Sequence, residues 1–146
     1  MKLEFDFDEL VQFGRRLNNP HNYETALMTA TQEVARVLHK CLLNKTPVDT
    51  GNLRKTWSAG DNLAFKVEKK YGGYQGTFVN EAENEYGFKY GRAVNYGHRL
   101  PHGKRGERRV PGKFFVENSV IETEEVAQKI IMKELRKWFE GGMNGK

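Results

Sequence analysis

The sequence predicts an α+β fold: two long amphipathic helices packed on a small, mainly antiparallel sheet, with a projecting basic loop before the C-terminal helix. Three observations predict it. Residues 23–44 and 114–139 each repeat apolar side chains at three- and four-residue spacing, the period of a helix with one buried face. Leu63, Phe65 and Val67 instead alternate with Ala64, Lys66 and Glu68, the period of a half-buried strand, with a Gly72-Gly73 hairpin signal before residues 74–79. Between these regimes stands TPVDTGNLRKTW at residues 46–57, where helical patterning stops and strand patterning begins.

A chain of 146 residues suffices for a single domain, residues 1–146, with one modest core. Charged residues are 29% and hydrophobic ones 38%, the composition of a folded, soluble chain. No apolar run has the length of a bilayer-crossing helix, so no membrane contact is expected. The N-terminus, Met1-Lys2-Leu3-Glu4-Phe5-Asp6, is too acidic for a signal peptide. Cys41 is the single cysteine, which excludes an internal disulfide; its place on an apolar helix face predicts a buried, inert thiol. A reducing cytosol fits these features.

The elements follow in order. Leu3, Phe5 and Phe7 alternate with Glu4, Asp6 and Asp8, an edge strand. Asp8 then caps a short helix striped by Leu10, Phe13 and Leu17 and ended by Asn18, Asn19 and Pro20, so residues 1–20 form an N-terminal strand and helix. The first long helix carries Leu27, Ala30, Val34, Val37, Leu38, Cys41 and Leu42 toward the core, with His39 at the boundary. Pro47 has no backbone donor and restricts Thr46, so the helix ends there. Asp49, Thr50, Gly51 and Asn52 form a tight turn, with Asp49 or Thr50 placed to cap one helical turn through Leu53 and Arg54. A strand over residues 56–59 is expected next, then one over 63–67, a hairpin at Gly72-Gly73 and a strand over 74–79. Glu81, Glu83 and Glu85 read as a solvated acidic loop.

Tyr90, Val94 and Tyr96 predict a last strand within residues 88–98, where Gly91 and Gly97 mark a bulge or a close backbone approach. Residues 99–113 are rich in Pro, Gly and cations; they cannot pack a core and are expected to project. His98 and His102 lie four apart, but Pro101 prevents the helix that would align them on a metal. The C-terminal helix presents Val116, Val120, Ala127, Ile131, Leu135 and Trp138, with Ile130 and Phe139 alongside. Gly141 and Gly142 are expected to stop it, leaving residues 141–146 as a flexible tail.

The net charge of +5 has one source. Residues 99–113 hold Arg99, Lys104, Arg105, Arg108, Arg109 and Lys113 against Glu107 alone, so the rest of the chain is neutral. A neutral body with one basic loop is not a general nucleic-acid binder. Catalytic signals are equally sparse. Asp49-Thr50-Gly51 matches the core triplet of aspartic proteases, in which two carboxylates share one proton. One copy per chain would require a homodimer, and here the triplet follows a charged helix rather than an apolar strand. There is no phosphate loop, zinc-binding helix motif or nucleophile elbow, and neither Ser58 nor Ser119 has an evident base. No enzyme, cofactor or metal is expected.

Three motifs remain, in order: Pro47, Asp49, Thr50, Gly51 and Leu53; then Tyr96, Gly97 and His98; then Pro111, Gly112 and Phe114. Together they resemble the signature of the neck or tail-completion proteins of long-tailed bacteriophages, a head–tail joining family often described as minor tail or minor capsid components. The resemblance spans residues 23–139. It departs at Arg92-Ala93-Val94-Asn95, where the family often carries Tyr-Ala-Pro-Tyr. It implies a structural protein of the virion neck, made in the host cytoplasm and assembled as a ring of identical subunits. Its partners would be further copies and other connector, head-closure or tail proteins, with non-specific contact to DNA in the channel. Arg99, Lys104, Arg105, Arg108, Arg109 and Lys113 are then the expected partner or DNA contacts. Two other classes stand beside this reading. One is a small nucleic-acid-binding module using the same loop, with Tyr90 and Tyr96 as stacking platforms. The other is the homodimeric protease.

Overall fold

The computed structural model describes residues 2–5, 20–57, 65–99 and 109–144. Along them run β1 (Lys2–Phe5), α1 (Pro20–Lys45), α2 (Asn52–Thr56), β2 (Phe65–Lys70), β3 (Gly73–Val79), α3 (Gly91–Tyr96), β4 (Gly97–Arg99), β5 (Arg109–Pro111) and α4 (Phe115–Asn144). The class is α+β, as expected. One antiparallel sheet has the order β1-β3-β2, which puts β1 at an edge; the second pairs β4 with β5.

α1 starts at Pro20, whose missing N–H is no loss in a first helical turn. Its core face buries Tyr23, Leu27, Ala30, Val34, Ala35, Leu38, Cys41 and Leu42. Thr31 is tolerated on this face because its hydroxyl donates to the Leu27 carbonyl at 2.8 Å. The helix ends as Pro47 requires, with the Thr46 amide and hydroxyl both bonded to the Leu42 carbonyl. α4 lies along α1. Between helices and sheet, Leu38, Leu42, Leu53, Trp57, Phe65, Phe78, Phe115 and Val116 make one cluster. Each large apolar side chain buried there contributes about 1.5–3 kcal/mol. A second cluster joins Tyr23 and Leu27 to Tyr74, Leu135 and Trp138. His39 sits at the boundary, half-buried, donating from Nε2 to the Trp57 carbonyl at 2.6 Å.

The structure corrects several local expectations. Residues 91–96 form a helix, α3, and only Gly97–Arg99 is strand. The reason lies in the spacing: Tyr90 and Val94 stand four apart, a helical interval, and the Val94 amide donates to the Tyr90 carbonyl at 3.0 Å. Thr56 closes α2 and Trp57 follows in right-handed helical conformation, so no strand begins there. The N-cap of α2 is Gly51, at φ 81°, rather than Asp49 or Thr50; the Thr50 hydroxyl accepts only a long 3.4 Å bond from the Asn52 amide. The β2–β3 hairpin turns on Tyr71 and Gly72, at φ 50° and 87°, and Gly73 already pairs with Lys70. On α4 the buried positions include Ser119, Thr123 and Glu134, whereas Val120 and Phe139 are exposed. Ser119 and Thr123 fit because their hydroxyls donate back to the carbonyls four residues earlier. Gly141 and Gly142 do not stop this helix, which continues to Asn144. Glycine inside a helix costs only about 1 kcal/mol, too little to force an end.

Other expectations fall outside the described residues: Phe7, the helix over residues 8–17, Ser58 and Ala59, Leu63, and within the basic segment His102, Lys104, Arg105 and Arg108.

Candidate functional site

The three motifs meet around α3. At its N-terminal end Gly91 lies against the first motif: a Cβ there would sit 3.3 Å from Leu53 Cδ1 and 3.5 Å from Asn80 Oδ1. Buried Asn80 donates to the Leu53 carbonyl at 2.9 Å and accepts the Ala82 amide at 3.1 Å. Asn52 reaches the same loop, donating from Nδ2 to the Glu83 carbonyl and to the Tyr90 hydroxyl, both at 3.1 Å. The loop itself is shaped by Asn84, whose Oδ1 accepts from the Tyr86 and Phe88 amides, and by a bridge between Glu83 and Lys89.

These contacts enclose an open cleft of about 420 Å³. Its lining includes Pro47, Leu53, Tyr90 and Val94, which are buried or half-buried, and the exposed carboxylates Asp49, Glu83 and Glu85. Glu81, next along, pairs with Lys89 at 3.0 Å. That hydrogen bond holds the Glu81 carboxyl below its usual range and the Lys89 ammonium above its own. Asp49-Thr50-Gly51 forms an exposed turn between two helices. Among the described residues no group of three or more His, Cys, Asp or Glu could hold a metal ion.

At the other end of α3 the second and third motifs interlock through two glycines. Gly97 sits at φ 84° and ψ 168°, a region that side chains disfavour, and a Cβ on it would lie 2.5 Å from the Val110 carbonyl oxygen. A Cβ on Gly112 would lie 2.4 Å from the Asn95 carbonyl oxygen. With both side chains absent, the Lys113 and Phe114 amides donate to the Val94 and Asn95 carbonyls at 3.0 and 2.9 Å. These bonds satisfy the free carbonyls at the end of α3.

Asn95 is fully buried and works in two directions: Oδ1 accepts the Val116 amide at 3.1 Å, and Nδ2 donates to Glu117 Oε2 at 2.8 Å. It thereby caps α4 from a distant segment. Burial raises the Glu117 carboxyl's affinity for a proton. The hydrogen bonds from Asn95, its own backbone amide and Tyr96 outweigh that and hold the pKa below the ordinary value. The same bond to Glu117, with burial second, pushes the Tyr96 phenol up. Tyr96 and Phe114 pack edge to face at 6.3 Å and both remain about half exposed. Phe114 has φ 49°, rare for a bulky side chain.

Pro47, Asp49, Thr50, Gly51 and Leu53 thus face one end of α3, and Tyr96, Gly97, Pro111, Gly112 and Phe114 the other. His98 is exposed on β4, opposite Val110. Of the basic residues, Arg99 and Arg109 are register partners across β4–β5, and Lys113 follows, all exposed. The motif reading missed Asn52, Asn80, Asn95 and Glu117, which tie the motifs together. Asn80 carried a faint signal, a turn-forming residue directly after a strand. Asn95 carried none, since a polar residue beside Tyr96 reads as solvated.

No described helix is long and apolar enough to cross a membrane. No curated protein and no solved structure matches the chain. A family model does, over residues 13–97, described as "Bacteriophage HK97-gp10, putative tail-component". That span holds the whole first motif and runs to Gly97 of the second; the third lies beyond it, bonded to the matched part through Val94 and Asn95. The chain belongs to the HK97-gp10-like family of bacteriophage tail components.

Proposed function

We propose that this protein works at the phage head–tail interface, joining the DNA-filled head to the tail as one subunit of a ring in the neck. The observation that carries the reading is the family match over residues 13–97. The geometry of the motifs supports a structural role. Their glycines allow backbones to cross, and the asparagines beside them cap and bridge segments. The triplet Asp49-Thr50-Gly51 lies between two helices, and its Gly51 is the N-cap of the second. The exposed Arg99, Arg109 and Lys113, with Lys104, Arg105 and Arg108 in the same stretch of sequence, offer contacts for a neighbouring protein or for DNA in the channel.

The test is a phage lacking this gene. Filled heads and complete tails should accumulate separately in electron micrographs, and the protein supplied in trans should restore joined particles. Joined, infectious particles at the wild-type level without it would overturn the reading.

A further inference from the structure

We infer that Phe114 of one copy, with Lys113 and Arg109 beside it, seats in the Pro47–Tyr90 cleft of a second copy. The inference rests on the ring reading and names the two surfaces that would build it.

The cleft has the properties of a receptor for such a group. Its volume of about 420 Å³ suits a single large side chain with its flanks. Leu53, Tyr90, Val94 and Pro47 supply apolar walls, while Asp49, Glu83 and Glu85 are its charged lining, with no cation among the lining residues. Among the described residues none of these three carboxylates is in an ion pair. Exposed Val48 in the α1–α2 connection and exposed Tyr86 and Phe88 in the loop after β3, at 62, 84 and 59%, add apolar surface. Exposed apolar groups of that size with charged ones at their rim mark a contact surface.

Phe114 has the properties of the inserted group. It is half exposed, and its backbone is held at φ 49° by the bonds of its amide to Asn95 and of its carbonyl to the Asn118 amide. Its ring belongs to neither core cluster and packs edge to face on half-exposed Tyr96, and glycine would meet the backbone demand at lower cost. Lys113 precedes it, and Arg109 lies on the adjoining strand β5. An aromatic anchor flanked by cations matches an apolar cleft lined with carboxylates in both shape and charge.

The two surfaces lie on different sides of α3, whose Val94 lines the cleft and accepts a hydrogen bond from the Lys113 amide, so one copy can use one surface on each neighbour in a heterologous contact. Repetition of such a contact closes into a ring when its rotation allows.

Variants in the gene-deleted phage test this. Glu83→Lys with Glu85→Lys, and separately Arg109→Glu with Lys113→Glu, should each lower the yield of joined particles at least ten-fold. All four substitutions in one chain should restore it to within a few-fold of wild type, because the charges of Glu83 and Glu85 and those of Arg109 and Lys113 are then reversed together, with only Asp49 keeping its sign. Phe114→Gly should also lower the yield ten-fold or more, with an unchanged or raised melting temperature of the purified protein. Wild-type yields from either charge-reversed pair would overturn the inference, as would failure of the fourfold variant to recover while its melting temperature stays native. The latter outcome would point to DNA or another protein as the occupant. Both leave the head–tail reading intact, since that falls only if the gene-deleted phage itself joins heads to tails.

Discussion

At the scale of single residues, backbone crossings set the constraints. Gly97 and Gly112 each meet backbone atoms where a Cβ would stand, whereas Gly87, also at positive φ (73°), faces nothing within 4 Å. Gly112→Ala should therefore cost about 1–3 kcal/mol through overpacking. Gly87→Ala should cost only its backbone strain, on the order of 1 kcal/mol. Urea denaturation of the two variants measures the difference, and equal losses would contradict the crossing. Glu117 provides a pH test. Its folded pKa lies below the ordinary value of 4.5, so its contribution is present above about pH 4.5 and lost as pH falls through the folded value. The melting temperatures of wild type and Glu117→Gln should differ at pH 7 and converge at acid pH. A constant gap would mean that the Asn95–Glu117 bond does not depend on the carboxylate. Little of this was legible in the sequence. Gly97 announced a close approach, but its partner Gly112 and the bridging Asn95 lie on other segments. Asn95 is buried only because three chain segments converge on it.

At the scale of elements, legibility follows length. α1 buries the stripe its periodicity predicts, whereas α4 buries Ser119, Thr123 and Glu134 and leaves the expected Val120 and Phe139 exposed. α3 has six residues, fewer than two turns, and its pattern fits a strand equally well until its contacts are known. Its helical state depends on what holds its ends: Leu53 and Asn80 at one, Lys113 and Phe114 at the other. The β2–β3 hairpin shows the same dependence on local chemistry. Both loop residues have positive φ, the signature of a type I′ turn, and the first is Tyr71 rather than Asn. Tyr71 is 88% exposed, and its ring contact is with the Lys70 ammonium at 5.6 Å. Tyr71→Asn should stabilise the protein by up to about 1 kcal/mol, because Asn tolerates the left-handed region better. A lower melting temperature would show that the ring matters more than the turn.

At the scale of the whole molecule, the fold sets two different surfaces about one short helix, and the described cations Arg109 and Lys113 belong to one of them. The acidic loop looked like a solvated connection in the sequence. Folding places it beside the Pro47–Leu53 turn, and the cleft exists only in that juxtaposition. A charge count along the chain therefore gave the basic stretch of sequence but not the acidic cleft. The central claim is that this protein forms a ring at the junction of head and tail. Electron cryomicroscopy of intact virions, with the neck reconstructed at a resolution that traces side chains, measures this directly. The account predicts a ring of identical copies at the head–tail junction, with α3 between each subunit's two contact surfaces and Phe114 of each copy within the cleft of the next. A neck that contains no copy of this chain, or copies found only elsewhere in the particle, would contradict it.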